Sequence, residues 1–163
     1  MPTNVFLSRP TTIKNKFKKP YDAFLSHLLR SGYTDLRLGA NQYTLDSPLT
    51  GVMKLMKTCR AAIILGYPQY EVTAAVSKGA DVKQQMSIYF PTPWNQIEAT
   101  LAYNQCLPVL VVTHEGISGG IFDHGVTGEY LHTTKLDRTN WHKEKVFQGI
   151  FKNLKKESNN GKR

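Results

Sequence analysis

Two cysteines, Cys59 and Cys106, are too few and too far apart to form the disulfide framework that staples small secreted folds. Both fall on the apolar sides of expected helices and read as buried, reduced thiols of a cytoplasmic protein. No apolar run approaches the roughly 20 residues that span a bilayer. Met1-Pro2-Thr3-Asn4 enters a short apolar segment without the layout of a signal peptide, so no membrane partner is expected. The histidines, His27, His114, His124, His132 and His142, lack ligand spacing, and no metal site is expected. Acidic residues are scarce, 12 against 21 Lys and Arg, leaving a net charge of +9. Eight of those nine charges sit in two short segments, Lys14–Lys19 and Lys152–Arg163. A nucleic-acid binder would carry a basic face interleaved with aromatics, so that partner is not expected. Attraction of a small anion to the Lys14–Lys19 segment fits as well as a solvated loop does.

What is present is an alternation of strand and helix patterns. Asn4-Val5-Phe6-Leu7 reads as a buried strand ending at Ser8-Arg9-Pro10. A basic loop from Thr11 to Lys19 precedes a helix opened by Pro20 and stopped by Gly32. Asp35 to Leu38 reads as an edge strand. Ser47-Pro48 caps a helix with Leu49, Val52, Met53, Met56 and Cys59 on one face. Ala61-Ala62-Ile63-Ile64-Leu65 is an unbroken apolar run, the pattern of a central parallel strand covered on both faces. In Gln69 to Thr92, Val72 to Val76 reads as a strand or a helical turn and Met86 to Phe90 as a short strand, and a long irregular segment in a compact domain is usually functional or mobile.

Thr92-Pro93 then starts a helix, followed by the strand Val109 to Val112. On a helical wheel Trp94, Ile97, Leu101 and Ala102 share one arc, with Glu98 inside it. A carboxylate on a buried stripe is costly unless something uses it; the alternative is a partly exposed Glu. The glycine-rich stretch Gly116 to Gly125 matches no phosphate-binding fingerprint and reads as a wide turn, with a ligand clamp as the alternative. Glu129 to His132 suggests a last strand, and Val146, Phe147, Ile150, Phe151 and Leu154 a closing helix. Residues 1–154 form one α/β domain on this reading, with 155–163 a disordered basic tail. The alternation argues for an open, doubly wound, mostly parallel sheet with helices on both faces. Ligands of such sheets bind beyond the carboxyl ends of the strands. Ser8-Arg9, Gly39–Asp46, Gly66–Thr92, the Gly116 loop and the start of the Glu98 helix should all meet there.

The segment Trp94-x-x-x-Glu98-x-x-x-Ala102, with an apolar strand after it, resembles the third-helix motif of TIR domains. Val5-Phe6-Leu7-Ser8-Arg9 looks like the TIR opening strand. Asp46-Ser47-Pro48-Leu49 and Cys59-Arg60-Ala61-Ala62-Ile63-Ile64-Leu65 look like that family's second helix and third strand. Arg9-Pro10 replaces the acidic residue common after the first strand, which suggests a divergent prokaryotic type of the antiphage-defence kind. The resemblance implies a five-stranded, three-layer α/β/α sheet, flavodoxin-like or TIR-like. It also implies an NAD glycohydrolase or ADP-ribosyl cyclase that releases nicotinamide. NAD would be its substrate, with no other cofactor. Activity would come with self-assembly into a homo-oligomer, and the product would be an immune or stress signal for an effector protein.

Glu98 would be catalytic, because an oxocarbenium-like transition state at ribose C1′ is stabilised by a fixed carboxylate. Ser8 and Arg9 would hold ribose hydroxyls or a phosphate, and Asp46 would orient a ribose hydroxyl. Trp94 would stack on a base or pack, and Tyr67, with Tyr70, would line the cleft. Nucleoside 2-deoxyribosyltransferases share this architecture and a helix-borne Glu, and are the alternative. The third possibility is a non-catalytic TIR-like module that signals by assembly or nucleotide binding.

Overall fold

The computed structural model describes residues 2–76, 79, 84–128 and 130–160. Five strands form one parallel sheet: β1 (Thr3–Ser8), β2 (Tyr33–Leu36), β3 (Ala61–Gly66), β6 (Val109–His114) and β7 (Leu131–Thr134), in the order β2-β1-β3-β6-β7. Between them in the chain lie α1 (Asn15–Arg30), α2 (Pro48–Lys57) and α3 (Pro93–Asn104), and α4 (Lys145–Asn159) follows β7. This is the flavodoxin-like strand order, with its switch point between β1 and β3.

Residues alternate faces along a strand, and β3 shows the result. Ala61, Ile63 and Leu65 pack with α1 and α4, whereas Ala62 and Ile64 pack with α2 and α3. Every residue of β3 is buried, which is why its sequence is continuously apolar. The first core is aromatic: Phe24, Trp141, Phe147 and Phe151 converge in tilted, edge-on and stacked pairs, and Phe17 lies edge-on to Tyr67 and His114. The second is made of smaller side chains, Val52, Met56, Ala99 and Ala102 among them.

Several expectations are corrected. The first helix begins at Asn15, not Pro20, because Phe17 turns inward and the lysines around it turn outward. Pro20 sits buried inside that helix, forfeiting one backbone bond. Lys155 to Asn159 are helical rather than disordered. Ser158 is buried against Tyr33, with the two hydroxyls 2.7 Å apart, and Lys155 Nζ donates to the Ser31 carbonyl at 2.9 Å. Within 69–92, β4 (Tyr70–Ala75) and β5 (Gln84–Phe90) form an antiparallel hairpin outside the main sheet, irregular at Val72–Ala74. The expected Glu129 to His132 strand starts at Leu131, and Glu129 lies outside the described residues. Among the described residues no helix is long and apolar enough to cross a membrane.

Cys106 is exposed, not buried. It takes a left-handed conformation (φ 55°) at the end of α3, where its N–H reaches the Tyr103 carbonyl and that of Leu107 reaches Ala102. That pattern is a Schellman cap with cysteine in the position glycine favours.

Candidate active site

Helix α3 points its first turn at the carboxyl end of β1. Thr92 caps it, its Oγ1 accepting from Asn95 N at 3.3 Å, and Pro93 fills the first position. The face laid on the sheet is Asn95, Ala99 and Ala102. Small residues let α3 approach β1 and β3 closely. The expected apolar stripe is corrected here: Trp94 is 43% exposed and Ile97 40%, while Leu101 packs partly and Ala102 fully against the core. Glu98 lies at the border of the buried face, three residues from Asn95, and is turned into the cleft.

A polar relay ends on that carboxyl. Thr92 Oγ1 donates to Asn95 Oδ1 at 3.1 Å, Asn95 Nδ2 donates to Ser8 Oγ at 2.8 Å, and Ser8 hydrogen-bonds Glu98. Ser8 and Asn95 are fully buried. Burial pushes the Glu98 carboxyl up to about 7, while the Ser8 hydroxyl pulls it the other way.

Above the relay lies an open cleft of ≈ 430 Å³. The loop after β1 supplies Arg9, Pro10 and Thr11 to its wall, and the β2–α2 loop supplies Gly39, Tyr43, Thr44 and Asp46. Pro48 and Val52 come from α2, and Thr92, Trp94 and Glu98 from the start of α3. Arg9 is folded onto its own loop. Its Nε donates to Tyr21 Oη at 3.1 Å, its Nη1 to the Pro10 and Thr11 carbonyls at 2.5 and 2.8 Å, and its guanidinium stacks over the Tyr21 ring. Asp46 faces the cleft with its carboxylate held by Lys54 at 2.9 Å and by the Thr44 hydroxyl at 2.8 Å. These bonds keep it below the usual carboxylate range.

Arg9, Asp46, Trp94 and Glu98 therefore share one cleft, with Ser8 directly beneath Glu98. Tyr67 does not line it, which corrects that expectation. The ring is fully buried in the aromatic core, edge-on to Phe17 at 5.2 Å and to Tyr21 at 6.5 Å, because the chain after β3 turns inward before leaving the sheet. Tyr70 is exposed on the hairpin, away from the cleft lining. The Gly116 loop is not part of the lining either. The Gln96 amide pins it to α3 through Gly119 O and Ile121 N, both at 3.1 Å, and a 3-10 turn spans Gly120–Phe122. Sequence reasoning missed Asn95 and Arg37. The available signal for Asn95 was its spacing from Ala99 and Ala102, which puts an amide on a small-residue face.

Neither a protein-family model nor a curated protein matches the sequence. Among solved structures, the chain is similar to the CMP N-glycosidase BcmB of Clostridium botulinum. The identity is 15% over 92% of this chain and 98% of that one, with a TM-score of 0.53. It also matches the TIR domains of the activated Roq1 resistosome, which directly recognises the pathogen effector XopQ. There the identity is 14% over 96% and 84% of the two chains, with a TM-score of 0.44, too loose to carry weight. At these identities the likeness speaks to the fold: this chain has the α/β architecture found in a nucleotide N-glycosidase.

Proposed function

We propose that the protein cleaves the N-glycosidic bond of a nucleotide, with Glu98 as the catalytic carboxylate. The observation that carries this reading is the placement of Glu98. It is desolvated, aimed into an open cleft and held from below by the buried Ser8–Asn95 pair. As the base departs, positive charge grows on C1′ and the ring oxygen, and the carboxylate stabilises it more strongly in this dry setting than in water. Water then adds to C1′, releasing a proton, so that the products are free base and the phosphate-bearing ribosyl remainder, ADP-ribose from NAD or ribose 5-phosphate from a nucleoside monophosphate.

The leading substrate is NAD. Its pyridinium base leaves as neutral nicotinamide, with the electron pair of the broken bond, and needs no proton donor. Glu98 acts as the anion in this case, and the ADP-ribose product is a signal made by an assembled form of the protein. A second reading is favoured by the likeness to a CMP N-glycosidase and by a Glu98 carboxyl that titrates near neutrality. A pyrimidine base must gain a proton on leaving, and protonated Glu98 would give it.

The test follows base release chromatographically from NAD, nicotinamide mononucleotide and CMP, at dilute and at high protein concentration. Wild type releases base from at least one of them, and Glu98→Gln lowers that rate by about 10²-fold or more. Release that survives Glu98→Gln overturns the assignment.

A further inference from the structure

Beside the main cleft, between the ends of β1 and β2, a recess of ≈ 110 Å³ runs from Glu98 to two arginines, Arg9 and Arg37. Their geometry is fixed by one phenol. Tyr21 Oη accepts from Arg9 Nε and from Arg37 Nη1, each at 3.1 Å. Arg37 Nε is ion-paired with Asp35 Oδ2 at 2.7 Å, and Arg9 Nη1 is tied to the Pro10 and Thr11 carbonyls. Among the described residues neither guanidinium uses its Nη2. Asp35 is the one carboxylate paired with the two cations and Glu98 lies at the opposite end, so the arginine end of the recess keeps a positive surplus with two donor groups held in place in advance.

Resting on the proposed N-glycosidic chemistry, we infer that Arg9 and Arg37 bind the 5′-phosphate of the substrate and make the enzyme select nucleotides over nucleosides. The chemistry of the ribose supports this assignment. When C1′ is at Glu98, the sugar's far substituent is C5′, and the recess leads from Glu98 to the guanidinium pair. Planar guanidinium forks suit phosphate oxygens better than single point charges do. Tyr21 is a positioning residue. It touches no substrate but stops both arginines from swinging into solvent, so less side-chain freedom is lost on binding.

Paired substrates isolate the phosphate: nicotinamide mononucleotide against nicotinamide riboside, and CMP against cytidine, with 3′-CMP as a displaced-phosphate control. Wild type prefers each 5′-nucleotide by about 10-fold or more in kcat/KM. Arg37→Met raises KM for the nucleotide by a similar factor, leaves kcat nearly unchanged and leaves the nucleoside reaction untouched. Arg37→Lys recovers part of the loss. Tyr21→Phe raises KM for the nucleotide a few-fold with the nucleoside again unaffected. Equal use of nucleotide, nucleoside and 3′-CMP, or an equal loss on all of them in Arg37→Met, overturns the inference.

Binding of the same compounds to Glu98→Gln by calorimetry reads the recess without turnover. Tighter binding of the 5′-nucleotides, weakened by Arg37→Met, supports the subsite even where the role of Glu98 fails. Binding of nucleotide and nucleoside alike, or of neither, overturns it.

Discussion

Helices α3 and α4 are similar in length and cover opposite faces of the same sheet, yet they are built in opposite ways. α4 buries Phe147, Phe151 and Leu154 and turns its lysines outward. α3 buries an amide and two alanines and leaves Trp94, Ile97 and Tyr103 in solvent. The first is what burial of apolar area dictates. The second gives up much of that area so that backbone, amide and carboxyl can come close to the end of β1. Stability is concentrated on the α4 side and chemistry on the α3 side.

The largest stability effect should come from breaking the α4 side. Phe147→Ala empties space among Phe24, Trp141 and Phe151, and should lower unfolding free energy by about 3–5 kcal/mol. Urea titration measures the loss, and activity per folded molecule should be kept. Asn95→Ala on α3 should be milder, about 1–3 kcal/mol, from buried polar groups left without partners. It should nevertheless cut base release sharply, since the donor that orients Ser8 beneath Glu98 is gone. A larger stability loss on the α3 side than on the α4 side would break the contrast.

The same contrast explains what was readable beforehand. β3 was legible because burial on both faces leaves no choice of residue, and the starts of α2 and α3 because Ser47-Pro48 and Thr92-Pro93 are local capping chemistry. Burial of α3 was misjudged because the helical wheel ranks faces by apolarity, and α3 inverts that ranking. The β4–β5 hairpin carries no alternation because β4 is exposed or half-exposed along its length. The last turn of α4 looked like a tail because lysine composition dominates it. Its anchors, Ser158 to Tyr33 and Lys155 to Ser31, are contacts across more than 120 residues. Arg37 had no signal at all in one sequence. Its role comes from Tyr21 bridging it to Arg9, three elements that only the sheet brings together.

Glu98 turns the contrast into a pH effect. Its carboxyl titrates near 7 in the fold against 4.5 when solvated. Between those values the folded chain holds more proton than the unfolded one, so the Glu98 contribution makes stability fall as pH rises through that window and level off above it. Glu98→Gln removes the slope and should leave the protein about 1–2 kcal/mol more stable than wild type at pH 8, with little difference at pH 4. Activity distinguishes the two substrate readings. Release of a base that is cationic while bonded to C1′ requires the anion and should rise with pH through about 7, whereas release of a base that is neutral while bonded requires the acid and should fall. Ser8→Ala removes the bond that favours the anion, and should move either inflection upward.

The smallest effect lies at the far end of α3. Cys106 holds a left-handed backbone (φ 55°) to close the helix with Leu107 tucked under it. A side chain there costs about 1 kcal/mol relative to glycine, partly offset by the extra freedom glycine has when unfolded. Cys106→Gly should therefore raise stability by about 0.5–1 kcal/mol and leave base release unchanged, since the thiol is exposed and lies some three turns of helix from Trp94. Gln105, the neighbouring cap residue, donates from its side chain to the Met53 carbonyl at 3.3 Å, which ties this end of α3 to α2. A gain in stability with a loss of activity would mean that the C-terminal end of α3 must yield during turnover. Strain would then be part of the α3 design, as its inverted burial already is.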